Sequence, residues 1–158
     1  MALPPRLEEI VEEFADLPDD LRLEALLDYS RRVPPLPPEL GANRDALEQV
    51  HECQTPFFVA TEVGEDGTVE LFFDAPPEAP TTRGFAGVLY EGLNGASADE
   101  VLATPETFYS AMGLERVISP LRLRGIAAIL GRLKRQVRVK LEARRAAEAQ
   151  GSGTPARP

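Results

Sequence analysis

The 158-residue sequence holds one cysteine, Cys53, one histidine, His51, and no tryptophan. A single thiol cannot close an internal disulfide, so a disulfide-stapled framework is excluded. Tetrahedral zinc sites draw on several thiolates or imidazoles, and one of each is too few for such a centre. No stretch approaches the ~20 consecutive apolar residues that cross a bilayer. The opening Met1-Ala2-Leu3-Pro4-Pro5-Arg6, followed by glutamates, has no apolar core of a secretory signal. A glycine-rich phosphate loop is also missing, because Gly84, Gly87, Gly92 and Gly95 fall inside or at the end of a predicted helix instead of following a strand. These absences lead to the expectation of a cytoplasmic protein with no membrane partner, its lone thiol suited to a reducing compartment.

What is present supports one sizeable core, with 43% hydrophobic residues. The net charge of −9 is unevenly divided: residues 1 to 115 carry 6 Lys/Arg against 24 Asp/Glu, residues 116 to 158 carry 11 against 2. A basic C-terminal helix therefore faces an acidic body. Its clusters, Arg132-Leu133-Lys134-Arg135 and Arg144-Arg145, are expected to form intramolecular pairs or stay solvated. Without interleaved aromatics or a binding motif, they do not mark a nucleic-acid surface.

Helical spacing of Leu7, Ile10, Val11 and Phe14 predicts a first helix ending near Pro18, and a second follows from Asp19 to Arg32 with Leu23, Leu26 and Leu27 inward. Asp16 and Asp19 are candidate caps. Pro34-Pro35-Leu36-Pro37-Pro38 then makes a stiff connector. Strand-prone runs over 57 to 63 and 68 to 74 flank Asp66-Gly67, a hairpin signal. Thr81 or Thr82 is expected to cap a helix reaching Leu93, where Gly84 and Gly87, each costing about 1 kcal/mol relative to Ala, imply close backbone contact.

Ser97-Ala98-Asp99-Glu100 has capping-box spacing, and Thr104-Pro105-Glu106 predicts another short helix closed by Gly113. Ser119-Pro120 opens the longest helix, packed through Ile126, Leu130, Leu133, Val137 and Leu141. The sum is an α+β domain over residues 1 to 145, a small antiparallel sheet against several helices, with 146 to 158 expected to form a disordered tail.

Cys53 lies in Val50-His51-Glu52-Cys53-Gln54-Thr55-Pro56, just before a strand. Three readings follow from the residues. A free cysteine is most commonly a small buried hydrophobe. A Cys-His hydrolase would use His51 as base, since positions i and i+2 of an extended segment point to one side. Alternatively, a lone thiolate can attack the outer sulfur of a persulfide and hold it, and the absence of a second thiol prevents collapse into a disulfide.

At these residues the chain resembles the SufE family, sulfur acceptors of cysteine desulfurases in iron-sulfur cluster assembly. The likeness runs through Val50-His51-Glu52-Cys53-Gln54-Thr55-Pro56-Phe57-Phe58, Thr82-Arg83-Gly84-Phe85 and Ile118-Ser119-Pro120-Leu121-Arg122-Leu123-Arg124-Gly125, in the family's order. Glu52 stands where glycine is usual and Thr55-Pro56 replaces Ser-Gln; the acidic neighbour is expected to raise the thiol pKa.

The resemblance implies that Cys53 accepts the persulfide sulfur. Its loop is then expected to shelter the sulfur at rest and swing outward on the desulfurase. Gln54 and Thr55 would position the loop, Arg83 and Arg122 would anchor it or meet an acidic patch of the partner, unless Arg122 pairs with an acid of its own domain, and Glu78 would lie in the same neighbourhood; His51 is expected at the surface or the pocket's edge. It further implies a cysteine desulfurase and an iron-sulfur scaffold complex as partners. No cofactor belongs to the chain itself, pyridoxal phosphate being the desulfurase's, and the chain acts as carrier and activator instead of enzyme.

Overall fold

The computed structural model describes residues 3–152. Its elements are α1 (Pro5–Ala15), α2 (Asp19–Ser30), α3 (Pro38–Ala42), β1 (Glu48–Gln49), β2 (Phe58–Val63), β3 (Val69–Asp74), α4 (Pro80–Leu93), α5 (Ala98–Ala103) and α6 (Pro120–Ser152), with short 3-10 turns between them. The fold is α+β: a three-stranded antiparallel sheet in the order β1-β2-β3, with helices packed on it and the longest helix last. Among the described residues no helix is long and apolar enough to cross a membrane.

The sheet is a meander. Glu48 pairs with Val59 and Gln49 with Phe58, while Val59, Thr61 and Val63 pair with Phe73, Leu71 and Val69. Since side chains alternate along a strand, these six paired residues of β2 and β3 share one face, and all are buried. That face is covered by α6, where the Thr61 hydroxyl donates to Gln136 Oε1 at 3.0 Å and Lys140 Nζ donates to the Thr61 carbonyl. Gly67, at φ +82°, makes the tight turn between β2 and β3.

Helix α4 packs against α1, α2 and α6, with Gly84 to Leu89, Gly92 and Leu93 buried. A Cβ at Gly84 would overlap the Leu26 carbonyl, and one at Gly87 the Tyr29 carbonyl. The two helices thus meet backbone to backbone, as the unfavourable glycines implied. On α6, Ile126, Leu130, Leu133, Val137 and Leu141 are buried as their spacing requires. The expected capping box is also formed: Ser97 Oγ accepts from the Glu100 amide at 3.1 Å and Glu100 Oε1 from the Ser97 amide at 3.0 Å.

Several local expectations are corrected. Leu23 and Leu27 are 40% exposed, because α2 turns Arg22, Leu26 and Tyr29 inward. Arg22 takes a core-facing position by donating to the carbonyls of Phe14 at 3.0 Å and Ala15 at 3.1 Å at the end of α1, where Phe14 also accepts from the Leu17 amide at 3.1 Å. Asp16 stands at the C-cap of α1, whereas Asp19 is the first residue of α2 after Pro18 and caps nothing, binding Arg22 at 2.5 Å and Arg116 at 2.9 Å instead. Helix α4 begins at Pro80 after Ala79, one turn position ahead of the threonines, because proline presets the helical φ and needs no amide partner there. The segment after Thr104 forms only a 3-10 turn, Phe108–Met112, closed by Gly113 at φ +75°. Helix α6 continues to Ser152, taking in the first residues of the tail expected over 146 to 158, with Ala146 to Gln150 exposed; 153 to 158 lie outside the described residues.

Part of the charge of the basic final helix is paired with the acidic body. Arg132, Lys134, Arg135 and Lys140 pair with Glu48 and Glu52, Glu106, Glu48, and Glu62 respectively.

Candidate functional site at Cys53

Strands β1 and β2 form a hairpin whose long loop carries the thiol. The Val50 amide donates to the Phe57 carbonyl at 2.8 Å, closing the ladder, and Val50 and Phe57 are both buried. Between them the chain turns sharply, with the Cys53 amide donating to the Val50 carbonyl at 3.1 Å. Cys53 stands at the tip, half-buried against α6. Its Sγ lies 3.9 Å from the Gly125 carbonyl, a long contact of the kind a thiol donor makes.

Gly125 makes that approach possible. A Cβ there would stand 3.3 Å from Cys53 Sγ and 3.4 Å from the Glu52 carbonyl. Two turns further along α6, Arg132 reaches the same loop, donating to Glu52 Oε1 at 2.7 Å and to Glu48 Oε2 at 2.8 Å. Arg135 also binds Glu48 Oε2, and Gln136 donates to Glu48 Oε1 at 2.8 Å. Helix α6 therefore holds both the strand that enters the loop and the residue beside the thiol.

A cavity of about 220 Å³ opens at the thiol, lined by Glu52, Cys53, Gln54, Thr55, Glu78, Arg122 and the first turns of α4 and α6. It has room for several waters at the ~30 Å³ each occupies in the liquid, and so for an added sulfur atom. The amino-terminal ends of two helices meet at its wall, placing partial positive charge near any anion there. Burial pushes the thiol pKa from 9.0 up to about 11, the Glu52 charge adds to the rise, and Arg132 opposes it. At rest the sulfur is a neutral thiol. The hydrogen bond from Arg132 holds Glu52 below the usual carboxylate range. For Glu48, burial is the largest single influence and raises the pKa, yet Gln136 and Arg132 together with the Arg135 charge hold it low.

The structure gathers Glu52, Gln54, Thr55, Glu78 and Arg122 around Cys53. It does not bring His51 there. His51 is exposed, and the described thiol contact is the Gly125 carbonyl, not an imidazole. Arg83 is elsewhere too, its guanidinium donating to the carbonyls of Ser30 at 2.9 Å, Ala75 at 2.5 Å and Val33 at 3.5 Å. It ties the ends of α2 and β3 to the start of α4. Among the described residues the Arg122 side chain makes no ion pair or hydrogen bond, and it is exposed at the cavity's rim. Sequence reading missed Arg132, Glu48 and Gln136. The basic run on α6 was visible, but nothing in it singled out the guanidinium that reaches a loop some 80 positions earlier.

The site is thus a half-buried single thiol on a hairpin tip, beside a small cavity. The chain belongs to the SufE family: the family model described as Fe-S metabolism associated domain matches residues 8–137. An uncharacterized SufE-like protein of Mycobacterium tuberculosis is 45% identical over 137 residues, covering 87% of this chain and 94% of that protein. The cysteine desulfuration protein SufE of Plasmodium vivax is 25% identical over 135 residues, covering 84% of this chain and 52% of that protein. A solution structure of a hypothetical protein from Thermus thermophilus is similar at TM-score 0.79 and 50% identity, covering 89% of this chain and 98% of that one. Membership supports a sulfur-related role in iron-sulfur metabolism.

Proposed function

We propose that this protein takes sulfane sulfur from the persulfide of a cysteine desulfurase onto Cys53, stimulates the desulfurase by removing that product, and passes the sulfur to an iron-sulfur scaffold complex. The observation that carries the reading is a lone thiol at a hairpin tip, sheltered but bordered by a cavity, in a chain of this family. In the step, the Cys53 thiolate attacks the outer sulfur of the donor persulfide. A bond forms between Cys53 Sγ and that sulfur, the donor's S–S bond breaks, and the donor cysteine leaves as thiolate. No net oxidation occurs, and the Cys53 proton passes to the departing thiolate or to water.

The chain acts as a carrier and needs no cofactor of its own, pyridoxal phosphate residing in the desulfurase. Shelter in the cavity limits oxidation of the persulfide. The helix amino-termini at the wall favour the anionic sulfur that forms once the loop is loaded. A Cys-His hydrolase is disfavoured because the thiol faces Gly125 and not His51.

The test is the intact mass of the protein after incubation with a cysteine desulfurase and free cysteine. Wild type gains one sulfur atom and raises desulfurase turnover, while Cys53→Ser folds normally and does neither. Wild type unchanged in mass, or Cys53→Ser stimulating fully, ends the reading.

A further inference from the structure

We propose that Arg132 is a positioning residue that latches the Cys53 loop onto α6, gripping Glu52 at the loop tip and Glu48 on β1 with one guanidinium. The inward pose rests on two contacts along one face of α6, since Gly125 and Arg132 are about two helical turns apart. At Gly125 the contact is steric and weakly directional, with Sγ 3.9 Å from the carbonyl. At Arg132 it is ionic and short, 2.7 Å to Glu52 and 2.8 Å to Glu48.

The two grips differ in permanence. Glu48 is also held by Arg135 and Gln136, and its side chain is 23% exposed, so the strand end stays fixed. Glu52 has Arg132 as its one described ion-pair partner and its side chain is 47% exposed, so water and incoming charges reach it. The loop side of the clamp is therefore the side that opens. Arg132 Nε is buried with no acceptor among the described residues, which leaves the guanidinium dependent on its two outer nitrogens for pairing. A protein surface that offers its own charge to Glu52 or Arg132 competes for the pair and frees the thiol.

The latch rests on the sulfur-transfer reading for its purpose, but its test uses no sulfur donor. Charges facing the thiol are Glu52 and Arg132, with Glu78 and Arg122 at the cavity wall. Loss of a neighbouring cation acting only through its charge slows thiolate chemistry. Loss of a latch exposes the thiol and speeds it. The experiment is the rate of Cys53 alkylation by iodoacetamide from neutral to alkaline pH in wild type, Arg132→Met, Glu52→Gln and the double variant.

Arg132→Met is expected to react about fivefold faster than wild type, the scale of a half-exposed ion pair. The double variant is expected to react no faster than Glu52→Gln, because both substitutions break one contact. Slower or unchanged alkylation of Arg132→Met overturns the proposal, as do single-variant effects that multiply in the double variant. If Arg132→Met does not fold, amide hydrogen exchange across residues 51 to 55 of Glu52→Gln decides. Faster exchange supports the latch, and unchanged exchange overturns it. Wild type that takes no sulfur defeats the functional reading and leaves these rates untouched.

Discussion

Cys53 comes down on α6 where Gly125 has no side chain: a Cβ at that position would stand 3.3 Å from the sulfur. The spacing is tight but reaches a loop and not a second helix, so the loop can shift by a few tenths of an ångström. Gly125→Ala is therefore expected to lift the thiol outward. Overpacking costs about 1–3 kcal/mol, while alanine returns about 1 kcal/mol of helix propensity. The melting temperature should move little, and alkylation of Cys53 should speed up. Unchanged alkylation in a folded variant would show that the loop does not lean on Gly125.

The pH dependence of the thiol follows from its surroundings. Burial raises its pKa from 9.0 to about 11, with Glu52 adding to the rise. At pH 8 the thiolate fraction is then about 100-fold smaller than for an ordinary thiol. The alkylation rate of the folded protein should still be climbing above about pH 10, where that of the unfolded chain levels off. The sign for stability is also fixed. Ionisation is harder in the folded state, so the neutral thiol's contribution is complete below the unfolded pKa and is lost as pH rises from 9.0 towards about 11. Cys53→Ala should remove that part of the alkaline loss of stability. A folded-state rate that levels off near pH 8 would contradict the buried pose.

Much of this was legible in sequence because local signals and tertiary demands agreed. The stripe from Ile126 to Leu141, the Ser97 capping box and the Asp66-Gly67 hairpin are each set by neighbours a few residues away. Expectations failed where a distant partner decided. Leu23 and Leu27 fit a helical stripe, yet α2 is rotated by the backbone contact with Gly84 and Gly87 and by Arg22 reaching the end of α1. Cys53, Gln54, Thr55, Glu78 and Arg122 line one cavity, whereas Arg83 serves the carbonyls of Ser30 and Ala75. Arg132 lay in a cluster expected to pair within the molecule, but its partners Glu48 and Glu52 carried no local signal, because that contact depends on packing across distant elements.

The α2–α4 contact gives a stability prediction. A methyl at Gly87 would collide with the Tyr29 carbonyl, and one at Gly84 with the Leu26 carbonyl, and neither backbone can yield without separating two core helices. Gly84→Ala and Gly87→Ala are each expected to destabilise by about 3 kcal/mol or more, beyond the usual cost of overpacking by one methyl. Urea denaturation checks this. A loss under about 1 kcal/mol in either variant would mean that the helices stand further apart than described.

Arg83 and Arg122 separate structural from partner-facing arginines. Arg83 supports three carbonyls, so Arg83→Met should lower stability by about 2–4 kcal/mol and leave sulfur uptake by the remaining folded protein near wild type. Arg122 is exposed at the cavity rim and unpaired among the described residues, so Arg122→Glu should change stability by less than about 0.5 kcal/mol. Its effect should fall on encounter: sulfur uptake from a desulfurase slows about tenfold at low salt, and the deficit shrinks as salt screens the reversed charge. Denaturant melts of both variants, beside uptake followed by mass at two ionic strengths, distinguish the roles. Equal uptake by Arg122→Glu and wild type at low salt would remove Arg122 from the docking surface.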